Sequence, residues 1–535
     1  MNILPERSNI EHLRKQAKDL LRLYKRNDPA ALERLRKYLP AARDQSDAAL
    51  ARLQFRLHDM QSCVAREYGF ASWVELLDGV ELQRRRAEGL DSLRRYWLHL
   101  VYGNEATGGY DRPQPARAAR LLAERPEIIV SDDPYYACAI GDETSIRRAI
   151  ERDAEWVNRS GGPLNIAPLI AITHSGLSRL DPFRESLRRC LRLLLDAGAD
   201  PDQWLAHGDD RLTAIYGAAG KVHDPGMTQM LLAAGANSND NESLYHSLED
   251  PNPELPCTRL LLEAGTRVGG TNALARVMDF DNLEGLQRLL AYTPRGDEDL
   301  DRILLWAIHR GRSAAHARAL LDAGANPQAR TREGYSALKL ALSFGLTEVA
   351  KLLEAAGASE TLSTQDLFIA ACARADESEA RRMLAAKPDL IATLSASQLR
   401  QLPNLAMAGF DAAVKVMVKV GWPIATRGGD IDGSALNQAV FRGNADLAEF
   451  LLEHGASWRE RHGYDSDVIG TLSWASINRP RAEGEWSRCA EVLLAHGLPP
   501  AEEQPEDPSD PTRYVLIDGR RMTFADDVID VLVRE

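Results

Sequence analysis

Residues 193–202 read LLLDAGADPD, and this stretch ends one element and opens the next. Leu193, Leu194 and Leu195 close an amphipathic helical run. Gly198 stands where a helix stops on a left-handed residue, a conformation glycine adopts without steric cost. Asp200 and Pro201 then prevent the helix from resuming. The phrase returns as LLAAGANSN at 231–239, LLEAGTRV at 261–268, LLDAGANPQ at 320–328, LLEAAGA at 352–358, LLEHGAS at 451–457 and LLAHGL at 493–498. Its glycines are Gly198, Gly235, Gly265, Gly324, Gly357, Gly455 and Gly497, at steps of 37, 30, 59, 33, 98 and 42 residues. The steps of 59 and 98 are about two and three units long, and Gly421 falls inside the longer one. A phrase recurring at this spacing is the mark of a repeat array.

One unit can be read in full over 333–358, EGYSALKLALSFGLTEVAKLLEAAGA. A first helix starts near Tyr335 and runs to Leu342, breaks at Phe344-Gly345, and a second helix runs from Thr347 to Leu353 before the glycine stop. A polar loop follows. Each unit is therefore helix, tight turn, helix, stop and extended loop.

This pattern resembles the ankyrin repeat. Where that family opens its first helix with Thr-Pro-Leu-His, this chain has Ser336-Ala337-Leu338-Lys339, and the unit at 433–457 has Asn437 at the His position. Looser units lie at 167–199, with an insertion around 177–187, and at 212–236. Others keep only helical spacing, near 93–128, 134–157, 242–265, 271–292, 299–325, 364–386 and 397–421. The resemblance implies a mostly all-α ankyrin-repeat solenoid of about ten to eleven helix-turn-helix units over 91–498. Such an array is one in which each unit contacts its neighbours. Aromatic content of 6% fits small Leu- and Ala-filled helix interfaces.

The flanks differ. Residues 1–90 read as an N-terminal helical domain. Leu13, Ala17, Leu20, Leu21 and Tyr24 form one stripe, Asp28-Pro29 caps a second helix to Leu39, and Ser46 or Asp47 opens a long helix ending near Tyr68-Gly69. A short helix is expected from Phe70 to Leu77. The run AREYGFASWVELL resembles a segment seen ahead of ankyrin repeats in bacterial proteins. Residues 499–511, PPAEEQPEDPSDP, read as an acidic Pro-rich linker. Residues 512–535 read as a hairpin turning at Asp518-Gly519, followed by a short helix. This tail is expected to cap the last repeat, whose apolar face needs cover.

Charge and chemistry narrow the function. Residues 1–100 hold 19 Lys/Arg against 14 Asp/Glu, and the rest holds 46 against 64, within a net charge of −13. The basic head interleaves both signs, as a solvated face does, so no nucleic-acid partner is expected. The amino-terminal stretch has no apolar leader core, and no run of 18 apolar residues occurs. A cytoplasmic protein, without membrane attachment and monomeric, is expected. The six cysteines are at least 52 residues apart, which excludes paired metal or redox spacing. They read as core residues. Gly220-Lys221 fails as a phosphate loop, because Val222 follows and Ile215 stands where the first glycine belongs. His309 and His316 lack a third ligand in sequence. Acidic clusters at Asp297-Glu298-Asp299 and Glu506-Asp507 read as solvated loops. No cofactor, metal or catalytic set is expected.

The family resemblance implies a non-enzymatic scaffold that binds a partner protein through a concave face and its finger loops. Aromatic and Arg residues at those fingers are the candidate contacts. They are Trp204 with His207, then Arg330, Arg332 and Tyr335, then Arg427, and finally Trp458, Arg459, Arg461, His462 and Tyr464. Trp458 and Tyr464 are expected to be replaceable without loss of stability. Leu451→Ala or Leu452→Ala is expected to cost about 2–5 kcal/mol. Two other readings stand beside the scaffold: a dedicated inhibitor of one partner, of the toxin-neutralising type, and an enzyme whose site lies in the head or the groove.

Overall fold

In a computed structural model of the chain, the described residues are 10–53, 55, 57–107, 113–130, 133–297, 299–478, 483–504 and 513–533. They form two compact units. The first comprises Met1–Ser247 and Pro256–Ala264, the second Leu248–Leu255 and Gly265–Glu535.

The first unit begins with the helix Ile10–Lys25, whose stripe Leu13, Ala17, Leu20 and Tyr24 is buried. Asp28 caps Pro29–Tyr38 by accepting from the amides of Ala30 and Ala31. Ser46 does cap a helix, but that helix is the single turn Asp47–Leu50, separate from Leu57–Glu67. The long helix expected from 46 to 68 is thus broken. At the break the Leu50 carbonyl accepts from the Tyr24 hydroxyl at 2.7 Å and from the Leu53 amide at 3.1 Å. The helix after Phe70 is longer than expected, Trp73–Glu88. These helices enclose their own apolar cluster.

Helix pairs follow in the same unit: Leu90–Tyr102 with Pro115–Glu124, Pro134–Ile140 with Glu143–Arg152, and Pro168–Thr173 with Asp181–Asp196. Ala214–Tyr216, continued by a wide π turn Gly217–Lys221, pairs with Pro225–Ala233, and Ser243–Ser247 pairs with Pro256–Glu263. The insertion around 177–187 is absorbed as a 3-10 turn, Gly176–Arg179, and a lengthened second helix. Gly198 sits at φ +87 with open space around it, so its role is the left-handed backbone itself. The finger after it is a β-hairpin, Trp204–His207 paired with Asp210–Thr213, which the sequence reading did not anticipate.

The second unit stacks seven pairs among the described residues. Their first helices are Ala273–Asp279, Asp299–His309, Ala337–Ser343, Thr364–Ala373, Gln401–Ala408, Ala435–Phe441 and Val468–Asn478. The corresponding second helices are Leu283–Leu290, Ala314–Asp322, Thr347–Ala355, Glu377–Ala386, Asp411–Lys419, Ala445–Glu453 and Trp486–Ala495. At the turn inside the best unit, Gly345 has φ +70, and a Cβ there would lie 2.4 Å from the Ala373 carbonyl oxygen. The turn therefore requires glycine for both conformation and close approach. Asn437, at the family His position, is fully buried and ties units together. Its carbonyl accepts from the Thr471 hydroxyl at 2.7 Å, and its amide donates to the Glu460 carbonyl at 3.2 Å.

Val515–Ile517 and Arg520–Met522 pair across Asp518-Gly519, and the helix Asp526–Leu532 follows. The stretch read as linker contributes a strand, Glu502–Glu503, antiparallel to Val515–Ile517. Its residues 505–511, with Glu506-Asp507, lie outside the described residues, as do Glu298 and residues 1–9. Val515, Ile517, Phe524, Val528 and Leu532 join the apolar cluster of Trp486 and Leu493. All six cysteines are free and buried. No helix among the described residues is long and apolar enough to cross a membrane.

Candidate functional site

The second unit carries a groove of about 1140 Å³. Four successive first helices form its floor: Asp299–His309, Ala337–Ser343, Thr364–Ala373 and Gln401–Ala408. The fingers at 330–335 and 428–432 form its rims. Helical period explains which side chains face it. On Asp299–His309, Leu300, Ile303, Leu304, Ala307 and Ile308 are buried, while Asp301, Arg302, Leu305, Trp306 and His309 line the groove.

The finger at 330–335 is a tight β-like turn. Arg330 and Ser336 bridge antiparallel, and the Thr331 amide donates to the Tyr335 carbonyl at 2.8 Å. Arg332 and Glu333 are thereby held exposed at its tip. Arg330 donates to the Gly334 carbonyl at 2.9 Å and pairs with Glu360 at 3.1 Å. The Tyr335 hydroxyl shares a hydrogen bond with Ser397 at 3.0 Å. Lys339, which stands at the family His position, packs its ammonium over the Tyr335 ring and meets Asp366 at 2.8 Å. Burial pushes the Asp366 carboxyl up, but Lys339 and the amide and hydroxyl of Ser363 outweigh it and hold the acid below its ordinary range.

Trp306 stacks on His309 at 5.6 Å, and His309 meets the edge of Phe344 at 5.3 Å. Burial lowers the His309 imidazole below the ordinary histidine value, and Arg310 adds to this against the opposing Asp430. Arg310 lies over the Trp306 ring at 4.2 Å and pairs with Asp279 at 3.1 Å and Asp430 at 2.8 Å. The lining residues Arg302, Arg330, Arg332, Lys339 and Arg400 face Asp301, Glu333, Asp366, Asp430 and Asp432. The groove is therefore of mixed polarity, with apolar ground between charges at Leu305, Leu340, Leu362 and Ile369.

Of the finger residues singled out from sequence, Arg330, Arg332 and Tyr335 converge here. Arg427 lies beside the groove, pairing at 2.7 Å with its lining residue Asp432. The finger at 458–464 is elsewhere in the second unit. Trp458 is 6% exposed and donates to the Gly497 carbonyl at 3.1 Å, so it folds back over the next glycine stop as core. This corrects the expectation of an exposed contact. His462 is also buried, and its Nδ1 accepts from the Tyr464 amide at 3.2 Å. Burial lowers its imidazole too. Arg459 stacks on Trp458 and pairs with Asp518 of the tail at 3.1 Å, and Arg461 is held by Asp465. Tyr464 is 76% exposed. Trp204 and His207 belong to the first unit's hairpin, where Arg211 lies over the Trp204 ring at 4.4 Å.

The sequence reading missed the groove residues Trp306, His309, Lys339, Asp366, Arg400 and Asp430. Only Lys339 carried a signal, as the charged substitute in the helix-opening tetrad.

The first unit holds a second polar cluster, around the Gly220-Lys221 pair. The Lys221 ammonium donates to Glu105 at 2.6 Å and to the Tyr102 carbonyl at 2.8 Å, and the Tyr216 hydroxyl donates to Glu105 at 2.8 Å. Burial lowers Lys221, with Glu105 opposing. Burial raises the Glu105 carboxyl, but Lys221 outweighs it and the net shift is downward. His174 is fully buried, and burial, with Lys221 adding to it, brings its imidazole down to about 3. The π turn passes so close that a Cβ on Gly217 would lie 2.4 Å from His174 Nδ1. Such turns mark sites of local constraint. Gly220 likewise lets the turn approach its neighbours, since a Cβ there would lie 2.8 Å from the His246 Cβ. Among the described residues, no cluster of three or more His, Cys, Asp or Glu is placed to hold a metal ion. His309 packs on aromatic rings, and His316 lies 3.6 Å from Asp281.

No family model matches the chain, and no curated protein matches it. Among solved structures it is similar to the human ASB11 ankyrin repeat domain at 19% identity, over 43% of this chain and 99% of that one, with a TM-score of 0.21. It is also similar to the ankyrin repeat domain of Bcl-3, of the IkappaB protein family, at 19% identity over 48% of this chain and 96% of that one, again with a TM-score of 0.21. Both of those are ankyrin repeat domains.

Proposed function

We propose that this chain binds a partner protein through the groove of its second unit, without catalysing a reaction. The observation that carries the reading is the convergence of finger residues Arg330, Arg332 and Tyr335 with four first helices on one groove of about 1140 Å³. A surface built on packed helices loses little entropy on binding. Mixed charge with apolar ground between suits a folded or extended protein segment better than a uniform polyanion. Tyr464 and the exposed Arg459 and Arg461 offer a second contact area on the last finger. Scaffold and dedicated inhibitor share this chemistry and differ in the number of partners held. Six unpaired buried thiols suit a reducing compartment such as the cytoplasm.

The test is affinity capture from native lysate with wild type and with Tyr335→Ala/Arg332→Ala. Loss of one protein in the variant, with an unchanged melting temperature, supports the groove. Equal capture by both would overturn it.

A further inference from the structure

Taking the groove as the binding site, we infer that its occupant is an acidic segment of the partner protein, in which Asp or Glu side chains flank apolar residues. The inference rests on which charges in the groove are already engaged. Asp366 is held by Lys339 at 2.8 Å, Asp430 by Arg310 at 2.8 Å and Asp432 by Arg427 at 2.7 Å. Asp301 accepts from the Asn326 amide at 2.7 Å. Two of the groove's guanidinium groups are not engaged. Arg332 and Arg400 are exposed lining residues with no ion pair or side-chain hydrogen bond among the described residues. Of the lining carboxylates, only Glu333 is likewise without a partner among the described residues.

A guanidinium is satisfied best by a carboxylate or phosphate that takes two of its N–H groups at once. Two features select carboxylate over a phosphate chain. Glu333 sits beside Arg332 at the finger tip, and Asp301 lines the floor, so closely spaced negative charge is repelled. Between the cations the floor is apolar, at Leu305, Leu340 and Ile369, which suits Leu- or Ile-like side chains between the acids. The lining charges balance in number, so the selectivity lies with the two unpaired guanidinium groups, which outnumber the one unpaired carboxylate, Glu333.

The probe is a fluorescein-labelled peptide, Gly-Glu-Leu-Leu-Glu-Gly, titrated with the full chain and followed by anisotropy. Its control is the Gln analogue, Gly-Gln-Leu-Leu-Gln-Gly. Wild type is expected to bind the Glu peptide about tenfold more tightly than the Gln peptide, the scale of one charge-assisted contact. Arg332→Ala/Arg400→Ala is expected to remove that preference, and Glu333→Gln to increase it. Both arginines are exposed, so a thermal melt of the double variant serves as the folding control. Equal binding of the two peptides, absence of binding by either, or a preference that survives in the double variant overturns the inference. A benzoylphenylalanine photocrosslinker at position 362 separates this from the groove reading itself. Crosslinking of the same lysate protein by wild type and the double variant would leave the groove standing and remove the acidic occupant. No crosslink in either would remove the groove.

Discussion

Arg310 and Asp430 meet at 2.8 Å although 120 residues of sequence separate them. One stands just beyond the end of the first floor helix, the other on the finger past the fourth. The pair is a strut across the groove. Arg310 does more than its partner, since it also pairs with Asp279 and covers the Trp306 ring.

Arg310→Ala is therefore expected to cost about 1–2 kcal/mol, combining a partly exposed ion pair with a cation–π contact. Asp430→Asn should cost less than about 1 kcal/mol. A double-mutant cycle in urea should give a coupling of a few tenths of a kcal/mol. Equal losses from the two single variants would show that neither the stack on Trp306 nor the pair with Asp279 contributes.

Trp458 and Tyr464 lie six residues apart in one finger and should behave oppositely. Trp458→Ala empties a buried site and removes the bond to Gly497, at a cost of about 3–5 kcal/mol. Tyr464→Ala is expected to stay within about 0.5 kcal/mol. Chemical denaturation of the two single variants decides it, and comparable losses would contradict the burial pattern.

His174 makes stability depend on pH. Its imidazole sits near 3 when folded, against an ordinary 6.5, so the unfolded chain takes up a proton first as pH falls. The stability linked to it is whole above about pH 6.5 and declines toward about pH 3, by up to about 1.4 kcal/mol per pH unit. His309, His316 and His462, which burial also lowers, add to the slope. The measurement is thus a difference. Between pH 6.5 and 5, His174→Gln should lose stability less steeply than wild type, and identical slopes would remove His174 as the cause.

In the tail, the Arg513 guanidinium donates to Asp530 at 2.8 Å, with side-chain exposures of 6% and 3%, and it also holds Glu503 at 2.6 Å. Asp530→Ala should cost about 1–3 kcal/mol, because it removes a buried charge-assisted bond while Glu503 still holds the Arg513 guanidinium. Arg513→Met with Asp530→Leu should recover most of that loss. A double variant no better than the single would mean that the tail needs the hydrogen bonds themselves. Unfolding followed by the near-ultraviolet signal of Trp486 and its neighbours reports it.

The repeat was legible because a glycine stop is a local requirement, written into the sequence wherever the backbone turns left-handed. The break after Leu50 was not legible, since a helical stripe runs on past it and the Leu50 carbonyl is met by Tyr24, 26 residues earlier. The groove was half legible. Arg330, Arg332 and Tyr335 stand on a finger between two regular units and could be placed by counting. Trp306, Arg400 and Asp430 come from irregular units, and only the packing of helix on helix brings them together. Trp458 shows the limit of composition as a guide. An aromatic in a finger looks the same in sequence whether it faces a partner or covers the next glycine.

The six buried cysteines have a use beyond packing. One lies in the head, at Cys63, and the other five, Cys138, Cys190, Cys257, Cys372 and Cys489, each lie in a different helix pair. Burial raises Cys63, Cys190, Cys372 and Cys489 to about 12 and holds Cys138 high as well, and Cys257 is wholly buried, so a reagent reaches each only when its segment opens. Each thiol is then a clock for its own neighbourhood: the rate at which a maleimide finds it measures how often that stretch of the array opens, independently of the rest.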